Sequence, residues 1–343
     1  MLSKLPRIKN IINAVITTYL VCYFPNTYAI AYTPGGKDFI SNRLILNEDA
    51  DGKEYSSQNA LRGIGIFWDG LINIAARSNK PDLTGYNVTT TGLDFGGDYL
   101  VNEEFIVGAA LTYASSNVRT STTTSGVPRD TNKVRTYNGV LFFSFMPRHT
   151  FIDVYLTAGR NAYRITRNII NTGEQAKAKA NAKQHGIRGV IGHNILGHFD
   201  STSSFSPVFS LNYVGLDGYT YTETGTQANN QTVTKPNTRK MEVGLGVEAS
   251  AEFNGAYSKF IPQMHFMLLR DFSDKRHNSL ANFTLAEGGF KSLEASTKRT
   301  IYNLGLAFTI SSSERLFVTG AYDFAIQSRY KSHTAAFRLK YVF

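Results

Sequence analysis

Cysteine is almost absent from this chain. Of 343 residues one is cysteine, Cys22, and it lies in the apolar amino-terminal stretch. The remainder has no disulfide framework and no thiolate chemistry. Tryptophan occurs once, at Trp68, and proline only nine times. Beyond the amino terminus no apolar run approaches the ~18 residues of a membrane helix. The mean hydropathy of -0.21 is too polar for a helical membrane protein. The net charge of +10 is scattered, with no recognition motif beside it, so the composition excludes a nucleic-acid module. That charge reads as solvated loops and lumen lining, with a weak attraction to anionic lipid headgroups. What is plentiful is glycine, at 29 residues, and aromatic side chains, at 13%. That mixture is poor in helix formers and suits many strands joined by turns.

The amino terminus has the three parts of a secretory signal. Lys4, Arg7 and Lys9 form a positive segment, residues 11–24 a mostly apolar one, and Ala29-Ile30-Ala31 a small-x-small cleavage site. Cleavage is expected after Ala31, with Ala29 and Ala31 as the recognised small residues. Val21 stands before Cys22 where lipoprotein signals place a small residue, which argues against lipidation. The expected organisation is a signal peptide over 1–31, a short linker or vestigial passenger over 32–60 that is also the candidate for a helix in the pore, and one barrel over 61–343. Residues 32–60 are too few to fold alone, since chains under ~40 residues usually need metals or disulfides.

Period-two alternation dominates from Leu61 onward. At the carboxyl end Phe337, Leu339, Tyr341 and Phe343 alternate with Ala336, Arg338, Lys340 and Val342. Successive strand side chains point to opposite faces, so one face here is greasy and the other carries two cations. Met241, Val243, Leu245 and Val247 repeat this against Glu242, Gly244, Gly246 and Glu248, as do Tyr322 and Phe324 against Asp323. The pattern predicts strands near 62–77, 88–99, 104–119, 133–146, 149–166, 181–199, 203–222, 238–254, 257–273, 297–312, 314–328 and 332–343. A soluble sandwich would hide the greasy faces in a core. The sum of about twelve such strands with few helices points instead to an all-β, twelve-stranded antiparallel transmembrane β-barrel, whose apolar faces are covered by lipid. Several strands exceed the ~9–11 residues needed to cross a bilayer, so they are expected to project beyond it. Short connections alternate with long polar ones near 120–132, 167–180, 223–237 and 274–296. In bacterial outer-membrane barrels the short turns are periplasmic and the long loops extracellular. This places both barrel ends in the periplasm.

Particular motifs sharpen the reading. Thr91-Gly92-Leu93, Gly96, Asp98-Tyr99, then Gly108, Ala110 and Tyr113 open the barrel. Phe151-Ile152-Asp153, Pro207-Val208 with Leu211 and Tyr213, Gly244-Leu245-Gly246, Tyr322-Asp323-Phe324 and the terminal Leu339-Tyr341-Phe343 follow in order. Over about residues 61–343 this resembles the autotransporter β-domain of type V secretion. The resemblance implies a barrel in the outer membrane of a Gram-negative-type cell, with a helix threading its pore. It implies export of an upstream segment, or its display as a cell-surface antigen or adhesin. It also implies partners, namely outer-membrane lipid, periplasmic chaperones and a barrel-assembly machinery that reads Phe337, Leu339, Tyr341 and Phe343 as its signal. One departure is Leu269-Arg270-Asp271-Phe272, where the family commonly has a tryptophan and a histidine-acid step.

The candidate site residues are the inward-facing charges Glu242, Glu248, Glu252, Asp323, Arg338 and Lys340. They line either a channel for small solutes or an ion-pair network that fills the lumen. His277 and Ser279, with Asn282 nearby, resemble the residues of an outer-membrane phospholipase, a distant third function, but the glycine expected after them is missing and their segment reads as loop; no enzyme is expected. Asn229-Asn230 resembles the pair at which some autotransporters cut their linker, yet here it falls in an outer loop. His149, His193 and His198 lack partners at metal spacing, and neither a metal nor a cofactor is expected. Gly186, Gly189 and Gly192 are expected as small residues of a strand rather than a phosphate loop. Tyr99, Tyr113, Phe145, Tyr213, Phe253, Phe272 and Phe343 are expected to form the two interfacial girdles.

Overall fold

The computed structural model describes residues 63–343 apart from 80–84, 103, 122–128, 148, 170–171, 196–202, 256–257, 274–277, 285–288, 294–299 and 312–314. The expected signal, with Ala29 and Ala31, and the expected linker or pore helix over 32–60 lie outside the described residues. Among the described residues every element is a strand.

The first seven strands form a meander: β1 (Ile64–Arg77), β2 (Tyr86–Asn102), β3 (Phe105–Thr120), β4 (Thr131–Phe145), β5 (Thr150–Asn168), β6 (Gln175–His193) and β7 (Ser203–Leu216). The meander resumes with β10 (Thr238–Ala251), β12 (Lys259–Asp271), β15 (Thr300–Ser311), β16 (Leu316–Gln327) and β17 (Tyr330–Val342). β11 (Phe253–Asn254) continues β10 beyond Glu252, in the same register against β12. Neighbours pair antiparallel throughout, β1 pairs with β17, and β10 pairs with both β7 and β12, so the sheet closes on itself as a twelve-stranded barrel.

Closure follows from the alternation. Each strand leaves its apolar face outward: Leu111 is 71% exposed, Leu245 61% and Phe95 60%. No water-soluble fold tolerates a continuous ring of such residues, whereas hydrocarbon covers it at no cost. A closed sheet also leaves no unpaired strand edge in that medium. Aromatic pairs border the belt. Phe105 and Phe145 lie 6.5 Å apart, as do Phe253 and Phe260, at the short-turn end, where Tyr341 and Phe343 lie 4.9 Å apart. Tyr113 and Tyr137 lie 5.3 Å apart towards the other end. Eight residues separate Phe145 from Tyr137, about 27 Å along the strand. β4 then continues past Tyr137 to Thr131, beyond the belt.

Two of the long connections carry strands of their own. β8 (Tyr219–Thr222), β9 (Gln231–Lys235), β13 (Asn278–Phe283) and β14 (Gly289–Leu293) form a separate four-stranded sheet in the order β14-β13-β9-β8. This corrects the sequence expectation in three places. The expected strand 203–222 is two elements in different sheets, because the chain leaves the barrel at Asp217-Gly218. The expected loops 223–237 and 274–296 contain strands. Within the expected loop 167–180, β5 runs to Asn168 and β6 begins at Gln175, and Gly173 takes φ +71° and donates to Ile169 O at 2.8 Å. Alternating Ala and Lys carried too little apolar weight to read as a strand.

Candidate functional site

The lumen is layered. At the short-turn end Phe67, Leu100, Ile106, Phe142 and Tyr155 pack together. In the middle, polar side chains chain across three strands. Thr136 Oγ1 donates to Asn161 Oδ1 at 2.6 Å, Asn161 Nδ2 to Gln184 Oε1 at 2.7 Å, and Gln184 Nε2 to Asn138 Oδ1 at 2.6 Å. At the loop end the inner wall is apolar again. Val134, Tyr163, Ile165, Ala178, Ala180 and Ala182 pack against Tyr221, Val233 and Ala281 of the second sheet. Tyr163 stacks on Tyr219 at 5.0 Å. The sheet of long connections therefore leans on the inner face of β4–β6. The inner wall thus has a polar layer between two apolar ones. A small residue such as Ala178 has room for a second sheet above it where a larger one would not.

The seam between the first and last strands holds buried charge pairs. Arg338 and Asp69 stand directly opposite in the register. Arg338 Nε donates to Asp69 Oδ1 at 2.7 Å and Nη2 to Asp69 Oδ2 at 2.8 Å, a bidentate fork. Its guanidinium also lies 4.7 Å from the Phe67 ring centre. Lys340 reaches past β1 to Asp98 on β2, with Nζ 2.7 Å from Oδ2. Asn73 Nδ2 adds hydrogen bonds to Ser332 and Thr334, each 2.7 Å. Asp69 and Asp98 are acids that sequence reasoning did not single out as partners. Parity would have put Asp69 on the inner face of β1, but only the closed sheet brings it to Arg338.

The other flagged charges are buried or half-buried on the same inner face. Glu242 lies 2.7 Å from Lys240 Nζ and accepts from Asn212 Nδ2 at 3.1 Å. Asp323 Oδ1 is 3.1 Å from His265 Nε2, which is 2.8 Å from Asn303 Oδ1. Glu248 stands opposite His265, and Glu252 pairs with Lys259 at 3.0 Å near the short-turn rim. These groups are divided among neighbouring pairs rather than gathered at one centre.

The remaining sequence candidates are dispersed. His277 and His198 lie outside the described residues, as does the Ser279 side chain; Asn282 is exposed on β13. Asn229 and Asn230 serve the loop: Arg167 Nη2 donates to Asn229 O at 2.6 Å, and Thr226 donates to Asn230 Oδ1 at 3.0 Å. A buried Arg167–Glu223 pair anchors the same loop. His149 and His193 meet edge to face at 6.5 Å, and His193 Nδ1 is 2.9 Å from Thr150 Oγ1. Gly186, Gly189 and Gly192 are residues of β6, with Gly192 opposite Phe151.

A closed, lipid-belted antiparallel barrel with a charged and polar lumen defines the class: an outer-membrane β-barrel. Within that class, the family model of the autotransporter β-domain matches residues 70–323, and the chain belongs to that family. Outer membrane protein B of Rickettsia prowazekii is 22% identical over 329 residues, covering 89% of this chain and 20% of its own length. The chain thus spans about a fifth of the length of that curated relative. Among solved structures, the translocator domain of the autotransporter NalP from Neisseria meningitidis superposes with a TM-score of 0.63 at 12% identity, over 81% of this chain and 88% of that one. The transport unit of the autotransporter AIDA-I from Escherichia coli gives 0.59 at 14% identity, over 88% and 97%. These likenesses at low identity establish the shared fold.

Proposed function

We propose that this barrel is a surface anchor. Its short turns and both barrel ends face the periplasm, its second sheet faces the cell exterior, and it presents that sheet and an N-terminal segment as an antigenic or adhesin-like surface. The observation that carries the reading is the gathering of two long connections into one folded sheet at a single end of a lipid-belted barrel. The relative's name, Outer membrane protein B, agrees with it.

In this reading cleavage follows Ala31, with Ala29 as the second recognised residue. The alternating face Phe337, Leu339, Tyr341 and Phe343 guides insertion by the barrel-assembly machinery after delivery by periplasmic chaperones. Glu242, Glu248, Glu252, Asp323, Arg338 and Lys340 serve as wall-stiffening charges of the lumen. The pairing of these charges with neighbours supports a structural wall over a solute channel, and no catalytic role is assigned to His277, Ser279 or Asn282.

The absence of cysteine after Cys22 makes the test direct. Gln227→Cys on the β8–β9 connection and Asn254→Cys at a short turn are each labelled in cells with a membrane-impermeant maleimide. The reading expects Gln227→Cys to react in intact cells and Asn254→Cys only after permeabilisation; the reverse pattern refutes it. Planar-bilayer conductance with and without residues 32–60 addresses the channel alternative, and steady ion-selective current from the full chain would favour it.

A further inference from the structure

On the outward face, directly above the Tyr113–Tyr137 edge of the belt, β4–β6 change from apolar to cationic. Leu141 and Phe143 on β4 give way to Lys133 and Arg135, Leu156 on β5 to Arg160 and Arg164, and Ile187 on β6 to Lys179 and Lys183. All six cations are exposed, and among the described residues none is in an ion pair. Arg119 on β3 and Lys177 on β6 extend the patch at its edges. The nearest acid in the register is Asp217, whose N–H donates to Lys183 O at 3.0 Å without an ion pair between the side chains.

The register makes this more than a basic surface. Lys133 stands directly opposite Arg164, and Arg164 directly opposite Lys179. Three cations thus share one row across three adjacent strands, with strand spacings of roughly 4.8 Å. Like charges directly opposite in a sheet repel. A row of this kind is relieved when an anion bridges its members. Among the described residues the outward loop-end faces of β1, β2, β15 and β16 carry no charged side chain, and those of β10, β12 and β17 carry single cations, Arg239, Arg270 and Lys331, so the clustering belongs to β4–β6. Its height also selects the anion. Arg135 and Lys133 precede Tyr137 by two and four residues, toward the loop end, about 7 and 14 Å along a tilted strand. That is the headgroup layer just outside the hydrocarbon, where clustered Lys and Arg attract anionic lipids.

We infer that the outward faces of β4–β6 form a docking site for the phosphorylated headgroup of a membrane lipid, gripped across strands by Lys133, Arg164 and Lys179 with Arg160 and Lys183 below. Naming the leaflet as the outer one rests on the orientation proposed above; the site itself does not.

The test uses the full chain refolded in neutral detergent, with lipid A, a diphosphorylated acylated disaccharide, as the probe. Lipid A should raise the midpoint of thermal unfolding by several degrees, and raising salt from roughly 50 mM to 0.5 M should abolish most of the rise. Dephosphorylated lipid A should give little. The variant Lys133→Gln/Arg164→Gln/Lys179→Gln/Lys183→Gln should lose at least tenfold in apparent affinity, while Lys331→Gln on the opposite flank should not. If the fourfold variant fails to fold, Arg164→Gln alone removes the centre of the row and should give a smaller loss. An equal response to the dephosphorylated lipid overturns the inference. So does full retention in the variants, or a response to soluble heparin with none to lipid A, which would mark a polysaccharide site. The maleimide experiment reports orientation separately, so a reversed barrel that still responds to lipid A refutes the surface-anchor reading and upholds the headgroup site.

Discussion

Phe142 lies across Gly108, the residue directly opposite it on β3, and a Cβ at Gly108 would overlap the Cζ edge of the ring. Phe67 over Gly96 and Phe151 over Gly192 repeat the arrangement between neighbouring strands. Large lumen side chains thus lie flat along the wall over glycines. The wall gains packed apolar contact while the strands keep their spacing.

Filling one of these hollows should be costly. Gly108→Val is expected to destabilise the folded barrel by roughly 1–3 kcal/mol, the usual range for overpacking. Adding Phe142→Ala should recover part of that loss, because the two changes share one space. Urea unfolding from lipid vesicles gives both values, and additive losses would refute the coupling.

The Arg338–Asp69 pair should show the asymmetry of buried charges. Each partner is at most 4% exposed. Arg338→Ala alone leaves Asp69 uncompensated and should cost about 3–5 kcal/mol. The apolar double replacement Arg338→Met/Asp69→Leu should cost far less. A double variant as damaged as the single one would show that the seam needs the charges themselves.

Asp130 at the loop-end tip of β4, outside the lipid belt, should make that end sensitive to pH. Burial pushes its carboxyl up to about 6, against the opposing effect of the Asn168 N–H it accepts. Between about pH 4 and 6 the folded state therefore holds a proton that the unfolded chain has released. The contribution of Asp130 to stability should be fully present below about pH 4 and be lost as pH rises through about 6, by roughly 3 kcal/mol for a two-unit difference. Asp130→Asn keeps an acceptor for Asn168 and should remove this slope. Hydrogen exchange at residues 165–175, measured at pH 4.5 and 7, reads it; an unchanged slope in the variant would assign the effect elsewhere.

Phe343 should separate assembly from stability. Its side chain is 63% exposed at the end of the seam, and its N–H donates to Ile64 O at 3.1 Å. Phe343→Ser keeps that backbone bond and removes only one side chain from the interfacial girdle, so the purified barrel in lipid should lose about 1–2 kcal/mol. If Phe343 belongs to the assembly signal, insertion in cells should fall far more. Comparable losses in both measurements would count against a recognition role.

Much of the barrel was legible because the signal for it is local. A strand in lipid must alternate residue by residue, so Leu245 beside Gly244 and Gly246 already shows which face is greasy. Helix-like periods are absent from the same stretches. The second sheet was less legible. Its strands are short, at four to six residues, and Ala176 to Ala180 read as loop because alanine marks a buried face only when something packs against it.

The amino-acid sequence by itself determined the inward and outward side of most barrel strands, since side-chain parity is fixed within a few neighbouring residues. Only the tertiary structure decided that Asp69 meets Arg338, that Asp98 meets Lys340, and that Lys133, Arg164 and Lys179 fall in one row. Those meetings depend on register and closure between strands far apart in the chain, and no local pattern records how far one strand slides along another.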